Sequence, residues 1–355
     1  MLKKILKWVL CILAVLLIAV CIGGWLKFGT LIKAANTIKK LEEGLYSMEY
    51  HGDYGFDEFL KAGGAADEKV LSEYLTSFLS GGFYKPEASV DTGDFGCSTV
   101  CVKGNDGKTY FGRNYDWGEC KSISVHTYPK DGYESVSTCC LDFLGFGDGY
   151  APDGSMSDRF MTLAAIYVPL DGMNEKGLMI ADLMAGDKEE THQKTDKADL
   201  TTTTFIRLLL DRAANVDEAI ELLGQYDMNS DIGAAHHLSI ADASGKSVVV
   251  EYVNGEMFVT ETKVVTNHYL SDCAKKGVGS EQSQVRFDTL SAFTGSGDKA
   301  VVKQLLESVA QKNYVQGDGS YEKTMWSIVY DPSELSADFY YAEDYSHAYQ
   351  LKIGE

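Results

Sequence analysis

The chain has 355 residues, 45% hydrophobic and 24% charged, the composition of a globular protein with a substantial core. A formal charge of −20 excludes a nucleic-acid surface, because a phosphate backbone must be met by clustered Lys and Arg. The acidic balance reads as surface solubility rather than as a cation-selecting face.

The N-terminus differs in kind. Trp8 to Leu26 carries no charge, with Lys3, Lys4 and Lys7 before it and Lys27 after it. As a helix this stretch would extend roughly 28 Å, about the thickness of a bilayer's hydrocarbon. Residues 1–30 are therefore expected to form a transmembrane signal anchor that meets the membrane through residues 5–26. The preceding lysines favour a cytoplasmic N-terminus and an extracytoplasmic remainder at the cell membrane. A cleaved leader, giving a secreted protein, is the other option. Six cysteines lie beyond this stretch, and their spacing matches neither a zinc site nor a redox pair.

From Leu31 to Leu79 the apolar spacing is helical. Ile32, Ala35, Ile38 and Leu41 recur every three residues, and Val70, Leu71, Tyr74, Leu75 and Phe78 form a second run after the break at Gly63-Gly64. Residues 31–96 are expected to be a small helical pre-segment, either a stalk or a propeptide, and 97–355 the catalytic domain.

Beyond Gly93 the texture becomes short β-branched and aromatic runs separated by turns. Cys97–Val102 and Thr109–Arg113 read as two strands joined by the turn Asn105-Asp106-Gly107-Lys108. Leu238–Ala241 and Ser247–Val253 repeat the construction, and Met325–Tyr330 with Asp338–Tyr341 suggest a further pair. Helices are expected at Thr203–Ala214, at Val216–Leu223 with Asn215 as its N-cap, and at Lys299–Ala310. Hairpins around a helical block imply an α+β fold with helices packed on antiparallel sheets. The glycine-rich, aromatic stretch Leu141–Ser157 reads as a long binding loop.

A lone cysteine is usually a small core residue. Cys97 gains meaning from Gly112-Arg113-Asn114-Tyr115-Asp116-Trp117, because a hairpin returns the end of the second strand beside the start of the first. Arg113 and Asp116 are then expected near the thiol. His236-His237 is no metal site on this reading, since adjacent strand residues face opposite ways. No cofactor is called for.

The stretches Phe95-Gly96-Cys97-Ser98-Thr99, Phe111–Trp117, Gly172-Met173-Asn174-Glu175-Lys176-Gly177-Leu178, Asp242–Glu251, Val265-Thr266-Asn267, Arg286-Phe287 and Thr324-Met325-Trp326-Ser327 occur in that order. Together they resemble the choloylglycine hydrolases, or linear amide C–N hydrolases, a family that includes bile salt hydrolases and penicillin V acylases. The resemblance implies an Ntn-hydrolase fold, a four-layer αββα sandwich whose nucleophile is the mature N-terminal residue. The chemistry is consistent: a thiol with a pKa near 8.5 needs a base, and an α-amine titrating near 8 can serve once the Gly96–Cys97 bond is cut.

On that resemblance Cys97 attacks a small-molecule N-acyl amide and Arg113 favours its thiolate. Asp116 orients the new amine, Asn267 and the backbone of Met184 line an oxyanion hole, and Arg286 supports the network or meets an anionic group. Relatives often carry Asn or Tyr where this chain has Met184, which puts bile salt specificity in doubt. An unprocessed cell-surface binding protein and an acyltransferase are the competing readings. A homo-oligomer is compatible with the sequence, which does not fix assembly.

Overall fold

The computed structural model describes residues 28–80, 96–146, 149–230, 233–312, 314–315 and 321–354. The stretch expected to be an anchor, Trp8–Leu26, lies outside them. Among the described residues, no helix is long and apolar enough to cross a membrane.

Helix α1 (residues 28–37) leads into strands β1 (Lys39–Glu42) and β2 (Leu45–His51), before α2 (Phe56–Lys61) and α3 (Glu68–Ser80). This corrects the expectation of a wholly helical pre-segment. The three-residue spacing stops at Ile38, which is buried, whereas Leu41 is exposed. Tyr46, Met48 and Tyr50 then bury at the two-residue spacing of a strand. Nor do these strands stand apart, since β2 pairs in parallel with a strand that follows Cys97.

The hairpin β3 (Gly96–Lys103) and β4 (Thr109–Trp117) comes next, and then β5 (Ser122–Tyr128) and β6 (Ser135–Cys140). After a short 3-10 turn and α4 (Met156–Thr162), a second hairpin forms from β7 (Asp171–Asn174) and β8 (Met179–Met184). The parallel pair β9 (Asp199–Thr201) and β10 (Asp227–Asn229) brackets α5 (Thr202–Arg212) and α6 (Val216–Leu223), the latter capped by Asn215 as expected. A meander follows, β11 (His236–Ala241), β12 (Ser247–Val253) and β13 (Glu256–Glu261), and then β14 (Val264–Thr266), which crosses to pair with β3. The chain closes with α7 (Glu281–Ser291), α8 (Lys299–Ser308), β15 (Tyr314–Val315), β16 (Tyr321–Asp331), β17 (Ser336–Tyr341) and β18 (Tyr349–Lys352).

Two large sheets result. The nine-stranded one runs β1-β2-β5-β6-β7-β8-β11-β12-β13; the seven-stranded one runs β14-β3-β4-β16-β17-β18, with β15 beside β16. Three buried apolar clusters define the layers. Phe205, Leu209 and Val216 of α5 and α6 pack with Ile180, Leu238 and Val250 on one face of the large sheet. Phe111, Met173, Met179, Ala181, Trp326 and Phe339 fill the space between the sheets. Leu290, Val302 and Leu306 of α7 and α8 cover the outer face of the smaller sheet against Val100, Val102 and Val329. The order is helix, sheet, sheet, helix, so the expected αββα layering is present.

Gly112 shows how closely the outer helix approaches. A Cβ there would lie 2.5 Å from Val302 Cγ1, so only glycine lets α8 seat on β4.

Candidate active site

Strand pairing assembles the site before any side chain contributes. In the β3–β4 hairpin Gly96 faces Asp116, Cys97 faces Tyr115 and Thr99 faces Arg113. Side chains alternate across a strand, so Cys97, Tyr115 and Arg113 share the face between the sheets, while Gly96 and Asp116 share the opposite face. On the other side of β3, β14 pairs Thr266 with Ser98, which sets Asn267 beside Cys97. Helix α7, capped by Ser280, brings in Arg286. Arg113, Asp116, Asn267 and Arg286 thus converge on Cys97 and Gly96, and Met184 joins them through Asn267.

The thiol is buried, with Arg113 Nη2 donating to Cys97 Sγ at 3.7 Å. Burial pushes its pKa up to about 12, only partly opposed by the Arg113 charge. Burial thus favours the thiol over the thiolate.

Arg113 is itself fully buried. Burial is the largest single influence and works against its charge, but Asp171, Cys97, Tyr115 and Asp182 together outweigh it and the pKa is raised. The ion pair from Arg113 Nη1 to Asp171 Oδ2 is 2.9 Å, and the guanidinium lies 4.7 Å from the Tyr115 ring centroid and 5.3 Å from that of Trp326. Asp171 also accepts from Thr138 and Tyr330 at 2.6 Å each and from Trp326 Nε1 at 3.0 Å. Every direction around this carboxylate is filled, so it fixes Arg113 rather than reacting.

Below Cys97 lies a second network. The Cys97 main-chain nitrogen donates to Asn267 Oδ1 at 2.7 Å. Arg286 Nη2 donates to the same oxygen at 2.8 Å, and Arg286 Nη1 donates to the Cys97 carbonyl at 2.8 Å and to Asp116 Oδ2 at 3.1 Å. Asp116 Oδ1 accepts from Thr324 at 2.6 Å. Burial raises the Asp116 pKa to about 6 against the pull of Arg286, the Thr324 hydroxyl and Arg113. In this uncut chain the Cys97 nitrogen is held by Asn267, while Asp116 holds Arg286.

Asn267 also spans the gap between the sheets, its Nδ2 donating to the Met184 carbonyl at 3.1 Å. Met184 packs with Ala234, Trp117 and Phe143, an apolar wall above the thiol's end of the sheet. The loop after Asn267 is anchored by Glu251, which accepts the main-chain N–H of Leu270 at 2.9 Å and of Ser271 at 2.7 Å and pairs with His237 at 3.1 Å. His236 turns the other way, to Asp182 at 2.8 Å, so the two histidines diverge as their strand positions require.

Three contributors were missed in the sequence. Asp171 is an acid inside an apolar run, which is a signal of a buried partner that no local motif explains. Thr324 lies within a motif that gave no hint of its contact with Asp116. Glu322, beside the exposed-looking Lys323, reads as a surface pair, yet it is buried, and a Cβ on Gly96 would sit 3.0 Å from Glu322 Oε2.

Comparison with known proteins agrees with this geometry. Residues 97–270 match the family model of linear amide C–N hydrolases, choloylglycine hydrolase family. A penicillin V acylase of Pectobacterium atrosepticum is 26% identical, with 46% of this chain and 50% of the relative aligned. A bile salt hydrolase/transferase of Clostridium perfringens is 27% identical, over 47% of this chain and 51% of the relative. The chain thus spans about half the length of each of these curated relatives. Among solved structures, a mutant conjugated bile acid hydrolase from Clostridium perfringens superposes with a TM-score of 0.53 at 16% identity, covering 72% of this chain and 92% of that one. At such identity the likeness speaks for the fold.

Proposed function

We propose that the chain, whose residues 97–270 match the linear amide C–N hydrolases of the choloylglycine hydrolase family, is a cysteine N-terminal-nucleophile hydrolase of small N-acyl amides, activated by cleavage between Gly96 and Cys97. The carrying observation is the placement of Cys97 itself. Its sulfur lies against Arg113 and its nitrogen against Asn267, so one residue presents both a nucleophile and a potential base to fixed partners.

Cleavage would convert the Cys97 amide, which has no basicity to offer, into an amine titrating near 8. That amine takes the thiol proton, directly or through water, and the sulfur attacks the substrate carbonyl. Charge on the tetrahedral oxygen is met by Asn267 Nδ2 and the backbone at Met184, a contribution of the size found for oxyanion-hole donors, about 2.7–4 kcal/mol. Water then releases the acid from the thioester. Met184, Trp117 and Phe143 offer an apolar wall, which suits an apolar acyl group such as those of bile salts, penicillin V or fatty amides. The uncharged stretch Trp8–Leu26 would tether the domain at the cell membrane.

Incubation of the processed protein with conjugated bile salts, penicillin V and N-acyl amino acids, following release of the free amine or amino acid, tests the reading. Release by the wild type and not by Cys97→Ala is expected. No release across the panel from a chain that is cut at Cys97 would argue against hydrolysis. Condensation of the acyl group onto an added amine, in place of the acid product, would favour the acyltransferase reading.

A further inference from the structure

Two tethers bind the chain around Asn267 to the larger sheet. The first is Asn267 itself, whose Nδ2 donates to the Met184 carbonyl at 3.1 Å. The second lies a few residues on, where the main-chain N–H of Leu270 donates to Glu251 Oε1 at 2.9 Å and that of Ser271 to Glu251 Oε2 at 2.7 Å. Glu251 stands on β12, where alternation gives it the face of Val249, one of the apolar residues between the sheets. It is fully buried and pairs with the buried His237 of β11 at 3.1 Å. Burial works to raise its pKa, but His237 and the bonds from Ser271 and Leu270 prevail and hold it down to about 2. Two successive N–H groups on one carboxylate fix the path of the loop, because a loop that shifted would strand a buried charge.

The segment so held carries both groups assigned to the oxyanion. The Tyr269 N–H donates to the Val278 carbonyl at 3.0 Å, and the Gly277 N–H to the Tyr269 carbonyl at 2.8 Å, closing the loop on itself. The chain leaving Met184 lies against it: a Cβ on Gly186 would stand 2.8 Å from the Asn267 carbonyl oxygen and 2.6 Å from that of Val278. At the outer end Lys275 bridges to Asp187 at 2.9 Å and to Glu189 at 2.7 Å, but in partial exposure, where ion pairs hold less firmly. The buried clasp is Glu251.

We propose that Glu251 is a positioning residue for the oxyanion hole, setting where Asn267 Nδ2 stands by gripping Leu270 and Ser271, without touching substrate or the reacting atoms. This rests on the reading above that Asn267 meets the developing charge. Such a donor stabilises the transition state only when it already stands in place, so a small shift of Asn267 costs turnover more than binding.

The test is a double-mutant cycle of wild type, Glu251→Gln, Asn267→Ala and the pair, with a thermal melt of each. It is read on the fastest-turned-over substrate among penicillin V, conjugated bile salts and N-acyl amino acids, or on the rate of cleavage before Cys97 where a variant is not fully cut. Glu251→Gln should lower kcat by roughly ten- to a hundredfold, the cost of a displaced group, with KM little changed. In the Asn267→Ala background the same substitution should cost almost nothing further, since it acts through Asn267. Equal losses in the two backgrounds would overturn the proposal, as would an unchanged kcat or a loss confined to KM. Where Glu251→Gln fails to fold, Glu251→Asp, which keeps the charge and retracts it, takes its place in the cycle. If neither folds, the residue serves the fold and not Asn267, and the proposal falls. A cut wild type that turns over nothing in the panel would instead sink the underlying reading.

Discussion

The main-chain nitrogen of Cys97 donates to the side-chain oxygen of Asn267 at 2.7 Å, across 170 positions of sequence. That bond joins the start of β3 to the residue following β14, and it holds the nitrogen that the proposed cleavage would free as an amine. Asn267 also reaches the Met184 carbonyl with its nitrogen, so one amide ties the nucleophile's strand to the opposite sheet.

Replacing Asn267 by Ala should lower kcat by roughly a hundred- to a thousandfold, the loss seen when one oxyanion-hole donor is removed. Steady-state kinetics of the processed variant measure it. A loss confined to KM would mean that Asn267 binds substrate and does not meet the developing charge.

Asp116 sets a pH limit. Its folded pKa, about 6, lies above the usual 3.8, so ionising it costs the fold stability; that cost is absent below about pH 3.8 and complete above about pH 6. On the proposed mechanism activity runs the other way, because the new amine would need the ionised carboxylate. A pH–rate profile should fall as pH drops through about 6, and Asp116→Asn should lack that acid limb while being slow throughout. A wild-type profile flat from pH 7 to 5 would contradict the role.

Asp171→Asn should destabilise the protein by about 3–5 kcal/mol, since it leaves the buried Arg113 charge without its partner. Urea unfolding reads this directly. Asp171→Asn with unchanged stability would mean that Arg113 is neutralised elsewhere.

After cleavage the pre-segment should stay attached. Strand β2 pairs with β5 along seven residues from Leu45 to His51. Leu31, Phe56, Phe59, Leu71 and Leu75 bury in the same cluster as α5, each contributing about 1.5–3 kcal/mol. Tyr54 donates to Asp211 at 2.5 Å, and Arg159 donates to the Ala35 and Ile38 carbonyls at 3.1 Å each. Two bands under denaturing conditions should therefore elute as one species under native ones. A processed domain that elutes free of residues 28–80 would contradict this.

These contacts also explain what was legible in the sequence. The hairpin that carries Cys97, Arg113 and Asp116 was readable because its turn, its alternation and its register are local. Asn215, as the cap of α6, was readable for the same reason. The strands β1 and β2 were not. The three-residue spacing of α1 runs up to Ile38 and masks the change that follows, and what holds β2 as a strand, with β1 beside it, is a parallel partner that lies far ahead in the chain. Asp171 and Glu322 were hidden likewise, because a buried carboxylate declares itself through Arg113 or Gly96, neither of which is near in sequence. Met184 could be placed by counting along a motif, but the use of its carbonyl by Asn267 needed the two sheets together.

The central claim is that Cys97 becomes the N-terminal nucleophile, and intact mass with N-terminal sequencing of the purified wild type beside Cys97→Ala tests it most directly. The account predicts a wild-type chain that begins at Cys97 and carries one thiol that reacts with an N-acyl substrate to a thioester mass, with Cys97→Ala whole and unlabelled. A wild type that remains joined at Gly96–Cys97 yet turns over N-acyl amides would contradict it.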